Sequence, residues 1–428
     1  MNLLFGKRMD REESLAVLEG LEASVTRTLS RARPLAQLVL NACGQLRQRI
    51  DPERYIPMLT EAGATKAAAH RQIAEAIAML DPQYLVARME RELGIHPFEM
   101  AAYSPIDRQA AVLEQWQPLG VLLHIAAGNV EALSAFTVVE GLLTGNINIV
   151  KLPGGEDGAS VLLLEELIRL VPELAEYIYV FDYSSEETDL IERMANVSDA
   201  VVVWGSDAAV TAVRRMANPH TRIIEWGQKL SFAYVTKLGM EQTQVDALAK
   251  HICMTNQLPC SSCQGIYLDT ENEEEAQAFS RDFLETLERA GSADPNVLHT
   301  AMRAHLTLQL RTEALLTTFQ GGWLYEGTRG SVHYHPDFAL HASLQFRNCW
   351  VRRLPRGDMV QRLRPYRGYL QTAGLLCGEQ EREELSMLLF RAGVVRVTRP
   401  EAMSNGYCGA AHDGTYALRN YMKRVSLE

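Results

Sequence analysis

The sequence lacks several features that would assign it to a special class of protein. None of its hydrophobic runs approaches the roughly 20 residues of a membrane span. Residues 1–11 also lack the apolar core of a signal peptide. The 42 lysines and arginines are outnumbered by 53 aspartates and glutamates, and the net charge is −11. Because nucleic-acid binders normally carry a basic face, these absences predict a chain with no membrane span and no nucleic-acid partner.

The cysteines do not form a disulfide framework. There are seven of them, an odd number, scattered at positions 43, 253, 260, 263, 349, 377 and 408. This usage is typical of a reducing compartment, so we expect a cytoplasmic protein. At 428 residues the chain exceeds the roughly 250–300 residues at which a single core stops growing, which predicts two or three domains.

The secondary-structure pattern changes at Pro118. Before it, apolar residues recur three and four positions apart, which predicts helices over 12–32, 35–50, 53–58, 64–80 and 82–93. After it, short apolar runs alternate with helical patterns, which predicts strands over 121–125, 147–151, 177–181, 200–204 and 222–225. Such alternation is typical of βαβ units, so we expect a doubly wound parallel sheet, followed by a second α/β segment after Glu225. The strands predicted in that segment include 344–354 and 370–376.

Polar or small residues follow several of the predicted strands. They are Asn129, Lys151, Gly205 and Glu225. Parallel sheets bind ligands at the carboxyl ends of their strands, so this placement predicts a binding site. No Gly-x-Gly-x-x-Gly follows any of these strands, so the ordinary dinucleotide fingerprint is absent.

The segment 255–265 is the candidate for covalent chemistry. It is a polar hinge between a helical pattern and a strand pattern, and Cys260 stands directly behind Pro259. A thiol on such a turn can face a cleft, with its own backbone N–H directed at a developing oxyanion. The alternative is a small buried residue, since free cysteine is among the most buried types.

Cys260 and Cys263 also form a C-x-x-C pair, for which a redox dithiol and half of a zinc site are the alternatives. A zinc site needs two more ligands, and the other cysteines supply no matching pair, so no metal is expected. A thioredoxin-type pair should open a helix after a strand, whereas this pair follows a helix. On oxidation the two thiols are expected to form an off-pathway disulfide.

Three other groups of residues have a functional and a structural interpretation. His333 and His335 alternate on a predicted strand, which indicates an exposed face and no ligand role. His412 begins a His-Asp-Gly turn that either orients a group in the site or is only a tight turn. A local excess of arginine either is a solvated surface or receives phosphates or an acidic partner; its members are Arg347, Arg352, Arg353, Arg356, Arg362, Arg364 and Arg367.

Five motifs in order resemble a known superfamily. The chain carries five segments in this order: Pro118 to Asn129, Leu143 to Lys151, Trp204-Gly-Ser206, Glu225-Trp-Gly-Gln-Lys229 and Asn256-Gln-Leu-Pro-Cys260. Each of them is similar to a segment of the aldehyde dehydrogenases. Within that superfamily, the loop at Cys260, the run 227–232 and the late 411–414 turn resemble the acyl-CoA reductase family of bioluminescence-type fatty acyl reductases. The resemblance covers roughly residues 110–428.

The resemblance implies roles for single residues. Cys260 would take the acyl group from a thioester, with Asn129 and the Cys260 backbone N–H as the oxyanion hole. Glu225 would stand beside the nucleophile, although Trp226 and Gln228 depart from the usual Leu and Gly of that motif. The residues implied to hold the nicotinamide cofactor are Lys151, Gly205, Ser206 and Gly227.

The resemblance also implies the fold, the cofactor and the partners. We expect an aldehyde dehydrogenase-like α/β fold with two doubly wound parallel-sheet domains and a helical N-terminal region. The predicted divisions are a nucleotide-binding part over 1–227, a catalytic domain over 228–395, and a segment over 396–428 that completes the fold or an oligomer contact. Gly154, where NAD-preferring relatives carry an acid, favours NADPH over NADH, although Glu156 lies nearby.

The predicted reaction is reduction of an acyl-CoA or acyl-carrier thioester, expected to be fatty, to the aldehyde. The predicted protein is a homo-oligomer, with an acyl-transferring protein as a further candidate partner. Two other functions stay open: an aldehyde dehydrogenase in which Glu225 activates water, and a non-catalytic member of the superfamily that serves as a partner subunit.

Overall fold

The computed structural model describes residues 2–31, 36–61, 63–126, 133–152, 158–295 and 298–428. The chain forms two compact units. The first consists of Met1–Tyr55, Ile73–Gly227 and Tyr407–Glu428, and the second of Ile56–Gln72 and Gln228–Gly406. Within the described ranges, no helix has both the length and the apolar character that crossing a membrane requires.

The first unit contains ten strands and most of the N-terminal helices that the structure describes. Its strands are β1 (Asn2–Leu4), β2 (Lys7–Met9), β3 (Ala101–Tyr103), β4 (Val112–Pro118), β5 (Val121–Ile125), β6 (Ile147–Lys151), β7 (Ile178–Phe181), β8 (Ala200–Trp204), β9 (Arg222–Trp226) and β17 (Met422–Leu427). Its helices are α1 (Arg11–Glu19), α2 (Leu21–Leu29), α3 (Ala36–Arg49), α6 (Pro82–Leu93), α7 (Leu133–Leu143), α8 (Gly158–Leu170), α9 (Thr188–Asn196), α10 (Asp207–Met216) and α16 (Ala417–Asn420).

The main sheet of this unit has the strand order β2-β1-β7-β6-β5-β8-β9. Its strands β5 to β9 run parallel, and their apolar residues are buried because helices cover both faces. The order reverses between β5 and β8, since β6 and β7 lie on one side of β5 while β8 and β9 lie on the other. Ligands of doubly wound sheets bind at such a reversal, beyond the carboxyl ends of the strands.

A second, antiparallel sheet in the first unit has the order β17-β4-β3. The pairing of β17 with β4 joins Met422 to Pro118 at one end and Leu427 to Leu113 at the other. Residues near the end of the chain are thereby held on β4, the strand that comes just before β5 of the main sheet.

The second unit carries the Cys260 loop. Its strands are β10 (Leu230–Val235), β11 (Cys263–Leu268), β12 (Trp323–Glu326), β13 (Ser331–His335), β14 (Asn348–Arg353), β15 (Leu370–Leu376) and β16 (Arg396–Thr398). Its helices are α4 (Ile56–Glu61), α11 (Gln242–Thr255), α12 (Glu273–Ala293), α13 (Thr300–Phe319), α14 (Met359–Leu363) and α15 (Arg382–Ala392), and α5 (Lys66–Met79) begins in this unit and ends in the first.

The sheet of the second unit has the order β12-β13-β14-β11-β10-β15-β16. All neighbours pair in parallel except β12, which is antiparallel to β13. The Cys260 loop leads into β11, so it lies at the amino ends of the parallel strands rather than at their carboxyl ends.

Most predicted elements are confirmed, several of them at the predicted bounds, for example α6, β5, β6 and β15. Two predictions were wrong in detail. The helix predicted over 12–32 is broken at Gly20 into α1 and α2. The strand predicted over 344–354 begins only at Asn348, because Gln345, Phe346 and Arg347 have left-handed φ values of 60°, 47° and 73°.

Candidate active site

The Cys260 loop begins with two residues in the left-handed conformation. Helix α11 ends at Thr255, and Asn256 and Gln257 follow with φ values of 48° and 62°. Asparagine tolerates this conformation better than most residues, whereas glutamine is held there by its surroundings. These two residues turn the chain out of the helix so that Cys260 is exposed three residues later.

A buried arginine fixes the first turn of this loop. Arg347 is fully buried, and its Nε donates a hydrogen bond to Oδ1 of Asn256 at 3.1 Å. Its Nη2 donates to the carbonyl oxygens of Cys253, at 3.2 Å, and Asp294, at 2.7 Å. The guanidinium thereby supplies donors at the carboxyl ends of two helices, α11 through Cys253 and α12 through Asp294, where carbonyl groups have no partner within the helix itself.

A pair of glutamines fixes the rest of the loop. Nε2 of Gln257 donates to the carbonyl of Cys263 at 3.0 Å, and Nε2 of Gln264 donates back to the carbonyl of Gln257 at 2.9 Å. The side-chain oxygen of Gln264 accepts from the hydroxyl of Ser343 at 2.9 Å. Asn256 and Gln257 therefore hold the loop in place, because both side chains are buried and bonded to backbone groups or to Arg347.

Cys260 is exposed, and two side chains from neighbouring strands reach it. Nε2 of Gln371, in the buried start of β15, donates to the Cys260 sulfur at 3.4 Å. The hydroxyl of Ser231, in β10, donates to the Cys260 carbonyl at 2.8 Å. An N–H donor stabilises a thiolate more than a thiol. Sequence reasoning missed Gln371, because it lies 111 positions from Cys260 and belongs to no motif.

Cys263 is buried, whereas Cys260 is exposed. It is fully buried in β11, its sulfur contacts the carbonyl of Gly265 at 3.2 Å, and burial raises the pKa of its thiol to about 12. Such a thiol is not a thiolate near neutral pH. Within the described residues, neither Cys260 nor Cys263 belongs to a group of three or more side chains that could hold a metal ion. The zinc interpretation of the C-x-x-C pair therefore has no support.

In the first unit, Lys151 is the last residue of β6 and is buried. Burial lowers the pKa of its amine, while the carboxylates of Asp182 and Glu187 oppose that change. A buried ammonium group near the carboxyl ends of β6 and β7 suits a ligand that carries negative charge.

Gly205 and Ser206 lie where β8 leads into α10. Gly205 has a φ of +159°, and a Cβ atom there would stand 3.2 Å from the Cβ of Ala209. Ser206 is the N-cap of α10, and its hydroxyl accepts from the backbone N–H of Ala209 at 3.4 Å. The start of a helix offers free N–H groups and a positive dipole, which together favour a phosphate.

An aromatic cluster stands beside this turn. The rings of Trp204 and Trp226, at the ends of β8 and β9, stack with centroids 5.4 Å apart. The His412 ring lies 4.8 Å from that of Trp226, and the His412 turn is closed by two backbone hydrogen bonds of 2.8 Å with Thr415. Among the described residues, neither buried indole N–H has a hydrogen-bond partner. His412 thus both begins a tight turn and packs at this sheet edge.

Glu225 does not stand free at its strand end. Its carboxylate forms an ion pair with Arg214 of α10, and the side chain of Glu225 is 29% exposed.

Gly227 follows β9 and is partly exposed. Asn129, Gly154 and Glu156 lie outside the described residues. Cys260 belongs to the second unit, whereas Lys151 and the other predicted cofactor residues belong to the first.

The arginine-rich segment does not form a single surface patch. Arg347 and Arg352 are buried, and Arg356 pairs with the carboxylates of Asp269 and Glu381, both at 2.6 Å. The hypothesis that these three residues receive phosphates or an acidic partner was therefore wrong. Neither sequence position nor local charge indicated that acidic and carbonyl groups elsewhere in the chain engage them.

His333 and His335 do not lie on an exposed face. They are 4% and 2% exposed, and they share one face of β13. The prediction of an exposed face was wrong because the sheet of the second unit is covered on that face as well. Alternation along a strand indicates exposure only where one face of a sheet meets water.

Comparison with known proteins places these features in a family. A profile of the acyl-CoA reductase (LuxC) family matches residues 32–424. The chain belongs to the acyl-CoA reductase family. It is 24% identical over 324 residues to the long-chain acyl-protein thioester reductase of Vibrio harveyi, a match that covers 73% of this chain and 65% of that protein. It is 23% identical over 321 residues to the enzyme of the same name from Photorhabdus laumondii, covering 73% and 64%. The chain thus matches less than two thirds of the length of these two relatives.

Solved structures show that this family member has the aldehyde dehydrogenase fold. The glyceraldehyde-3-phosphate dehydrogenase GapN of Methanocaldococcus jannaschii, complexed with NADP, superposes with a TM-score of 0.71 at 14% identity, covering 98% of this chain and 95% of the other. An NAD-dependent benzaldehyde dehydrogenase from Corynebacterium glutamicum superposes with a TM-score of 0.70 at 14% identity, covering 97% and 90%. The predicted fold class is confirmed.

Proposed function

We propose that this protein reduces a long-chain acyl thioester to the aldehyde, with NADPH as reductant and Cys260 as the acyl-carrying nucleophile. The observation that carries the proposal is the placement of Cys260. Its sulfur is exposed on a loop held by buried hydrogen bonds, within reach of the Gln371 amide. Membership of the acyl-CoA reductase family and the names of the relatives support the reaction class.

The proposed reaction has two halves. The Cys260 thiolate attacks the thioester carbonyl, the carbon–sulfur bond to the carrier breaks, and the carrier leaves as its thiol, which leaves the acyl group on Cys260. Bound NADPH would supply a hydride to the carbonyl carbon of this acyl-enzyme. The resulting thiohemiacetal then loses its hydroxyl proton as the bond to Cys260 breaks, which releases the aldehyde and restores the thiolate. One thioester, one NADPH and one proton give one aldehyde, one thiol and one NADP.

Oxyanion stabilisation is assigned by resemblance to Asn129 and to the backbone N–H of Cys260. The Gln371 amide has a different task in this proposal, because it contacts the sulfur and stabilises the thiolate both before attack and after the aldehyde leaves. Sulfur is a good leaving atom from a tetrahedral adduct, so the collapse needs no strong acid at this position.

The residues of the first unit fit a nicotinamide dinucleotide. Ser206 caps a ten-residue helix, and a side chain at Gly205 would crowd Ala209 at this turn. The unpartnered indole N–H groups of Trp204 and Trp226 offer donors at the same strand ends. In this proposal Gly205 and Ser206 would hold the pyrophosphate, and Lys151 would bind the adenosine ribose. Gly227 would also contact the cofactor. A buried lysine also favours a 2′-phosphate, which is why NADPH is proposed before NADH.

The aldehyde dehydrogenase alternative needs Glu225 as a base that activates water. Its carboxylate is instead engaged by the guanidinium of Arg214, so it is directed at that side chain and not at a water molecule. A thioester reductase has no step that requires an activated water. The ion pair therefore favours the reductase.

The proposal is tested by measuring NADPH consumption with acyl-CoAs of graded chain length and with the same acyl groups on a carrier protein. We expect aldehyde formation that requires Cys260 and is lost in Cys260→Ser. Cys408→Ser is the matched control, because Cys408 is the other exposed thiol in the described part of the chain. Equal rates in Cys260→Ser and in the unmodified protein would overturn the proposal. Formation of acid from aldehyde and NADP without any added thiol would support the aldehyde dehydrogenase alternative.

A further inference from the structure

A cluster of buried donors in the second unit has no part in the proposed reaction. It consists of Glu313 on α13 and of His333 and His335 on β13. One ligand atom from each of the three side chains lies within 4.8 Å of the other two, and the His335 Nε2 is 3.8 Å from a Glu313 carboxylate oxygen. We propose that these three side chains bind a divalent transition-metal ion of the zinc class.

The two histidines offer lone pairs that no protein group uses. Both ring nitrogens of His335 and Nδ1 of His333 are buried, and within the described residues none of them has a hydrogen-bond partner. A buried polar atom without a partner is costly, and such atoms call for an unseen partner such as an ion or a water. A metal ion would satisfy one nitrogen on each ring.

A neighbouring hydroxyl fixes the tautomer of His333. The hydroxyl of Ser331 donates to Oδ1 of Asn348 at 2.7 Å, and it lies 2.8 Å from Nε2 of His333. Because the single hydroxyl proton is already directed at Asn348, Nε2 must carry the ring proton and donate to Ser331. Nδ1 is then a bare lone pair, and a ligating histidine held through its other nitrogen is the usual arrangement in metal sites.

One positively charged side chain, Arg352, also acts on the cluster. The guanidinium of Arg352 repels a cation, but the Asp337 carboxylate pairs with it and reduces that effect.

A separate ion pair joins α13 to β12, the strand beside β13. Arg311 of α13 binds both carboxylate oxygens of Glu326 on β12, at 2.8 and 3.0 Å. This contact keeps α13 on the sheet, with Glu313 two residues further along the helix. In a tetrahedral zinc site with bonds of about 2.1 Å, the donors stand about 3.4 Å apart, so small side-chain rotations close the site.

Two nitrogens and one carboxylate oxygen are a donor set that zinc accepts, and they leave a fourth position for water. His341 does not fill that position, because its Nε2 is 2.6 Å from Nη2 of Arg352.

The cluster is also remote from the nucleophile. His335 is level with Tyr267 across β14, four residues or about 13 Å along the strand beyond Cys263. The metal would therefore hold α13 on β13 rather than take part in acyl transfer.

The test is Zn²⁺ binding by the full-length protein after treatment with a chelator, measured by equilibrium dialysis and elemental analysis. We expect one ion per chain and binding at least about tenfold weaker in Glu313→Gln and in His335→Gln, because loss of even a residue that only orients a metal ligand costs about 10–100-fold. Glu313 is only half-buried, so Glu313→Gln keeps the test valid if His335→Gln fails to fold. His251→Gln is the matched control, because His251 is another buried histidine of the second unit whose ring nitrogens lack partners within the described residues.

Co²⁺ distinguishes this site from the thiols. A Co²⁺ site of nitrogen and oxygen donors shows visible absorption without the charge-transfer band of a bound thiolate, and we expect that spectrum. A thiolate band that disappears in Cys260→Ser would overturn the proposal, as would an absence of binding or binding that survives both cluster substitutions. Acyl-enzyme formation on Cys260 is measured separately, so failure of the metal site leaves the proposed reaction intact.

Discussion

Replacement of Gln371 by methionine isolates the contact between the Gln371 amide and the Cys260 sulfur. Methionine has a similar length and is tolerated in buried positions, but it has no N–H to donate. Ser231 still bonds the Cys260 carbonyl in this variant, so the loop should keep its position. The change removes the N–H donor to the thiolate, together with the side-chain oxygen that the Ser231 hydroxyl contacts at 3.4 Å.

The size of the effect follows from the hydrogen bond itself. A hydrogen bond to a charged group contributes about 1.5–3 kcal/mol, and a separation of 3.4 Å places this one at the lower end. A loss of about 1.4 kcal/mol corresponds to a tenfold change in rate. We expect Gln371→Met to slow the acylation of Cys260 about tenfold near neutral pH.

Two assays measure this loss. Release of the carrier thiol in a single turnover reports acylation, and peptide mapping after brief alkylation reports the reactivity of Cys260 alone. Cys408 is exposed and serves as the internal standard in the same sample. Gln380→Met, at an exposed position, controls for the substitution type. Alkylation and acylation rates equal to those of the unmodified protein would refute a role of Gln371 in stabilising the thiolate.

Three further predictions concern stability and the alternative reaction. Arg347→Leu should lower the free energy of unfolding by about 3–5 kcal/mol in urea titrations, because it leaves several buried groups without their donor, whereas the exposed Arg367→Leu should have little effect. Glu225→Gln should cost under about 1 kcal/mol of stability and leave the rate of aldehyde formation near that of the unmodified protein, since the carboxylate is only paired with Arg214. A large loss of that rate would restore a catalytic part for Glu225. Burial lowers the pKa of His251 to about 4, so acid should destabilise the fold. The substitution His251→Gln should weaken this effect.

The sign of the acid effect follows from the two states of His251. In the unfolded chain its ring takes up a proton near pH 6.5, but in the folded protein only near pH 4. Protons therefore bind the unfolded chain preferentially, and stability falls as the pH is lowered from about 6.5 to about 4. Each unit of that interval costs up to about 1.4 kcal/mol for such a histidine. A urea midpoint whose pH dependence is identical in His251→Gln would contradict this assignment.

Local pattern was sufficient for the regular elements. Short apolar runs predicted β5 and β6, and a period-3.6 apolar pattern predicted α6, with the bounds that the structure has. The patterns missed β2 and β17, which lie at sheet edges and bury few residues. They also missed β1, whose three residues are all buried but are too few to show a pattern. The break at Gly20 was also missed, since an apolar period can continue across a single glycine.

The candidate site could be predicted only as far as its motifs extend. The loop with Cys260 and the turn with Gly205 were marked by their own residues. Gln371 and Arg347 contact that loop from distant positions in the chain, and nothing in their neighbourhoods indicates this. The burial of His335 depends on α13, which covers one face of β13 and is separate in sequence. Such residues become visible only when the sheet order and the packing are known.

The central claim is that Cys260 becomes acylated. The most direct measurement is mass spectrometry of the peptide that carries Cys260, after incubation with a long-chain acyl-CoA in the absence of NADPH. We expect one acyl group on Cys260, which disappears when NADPH is added and appears as aldehyde. An unmodified Cys260, or an acyl group carried by Cys408 instead, would contradict the claim.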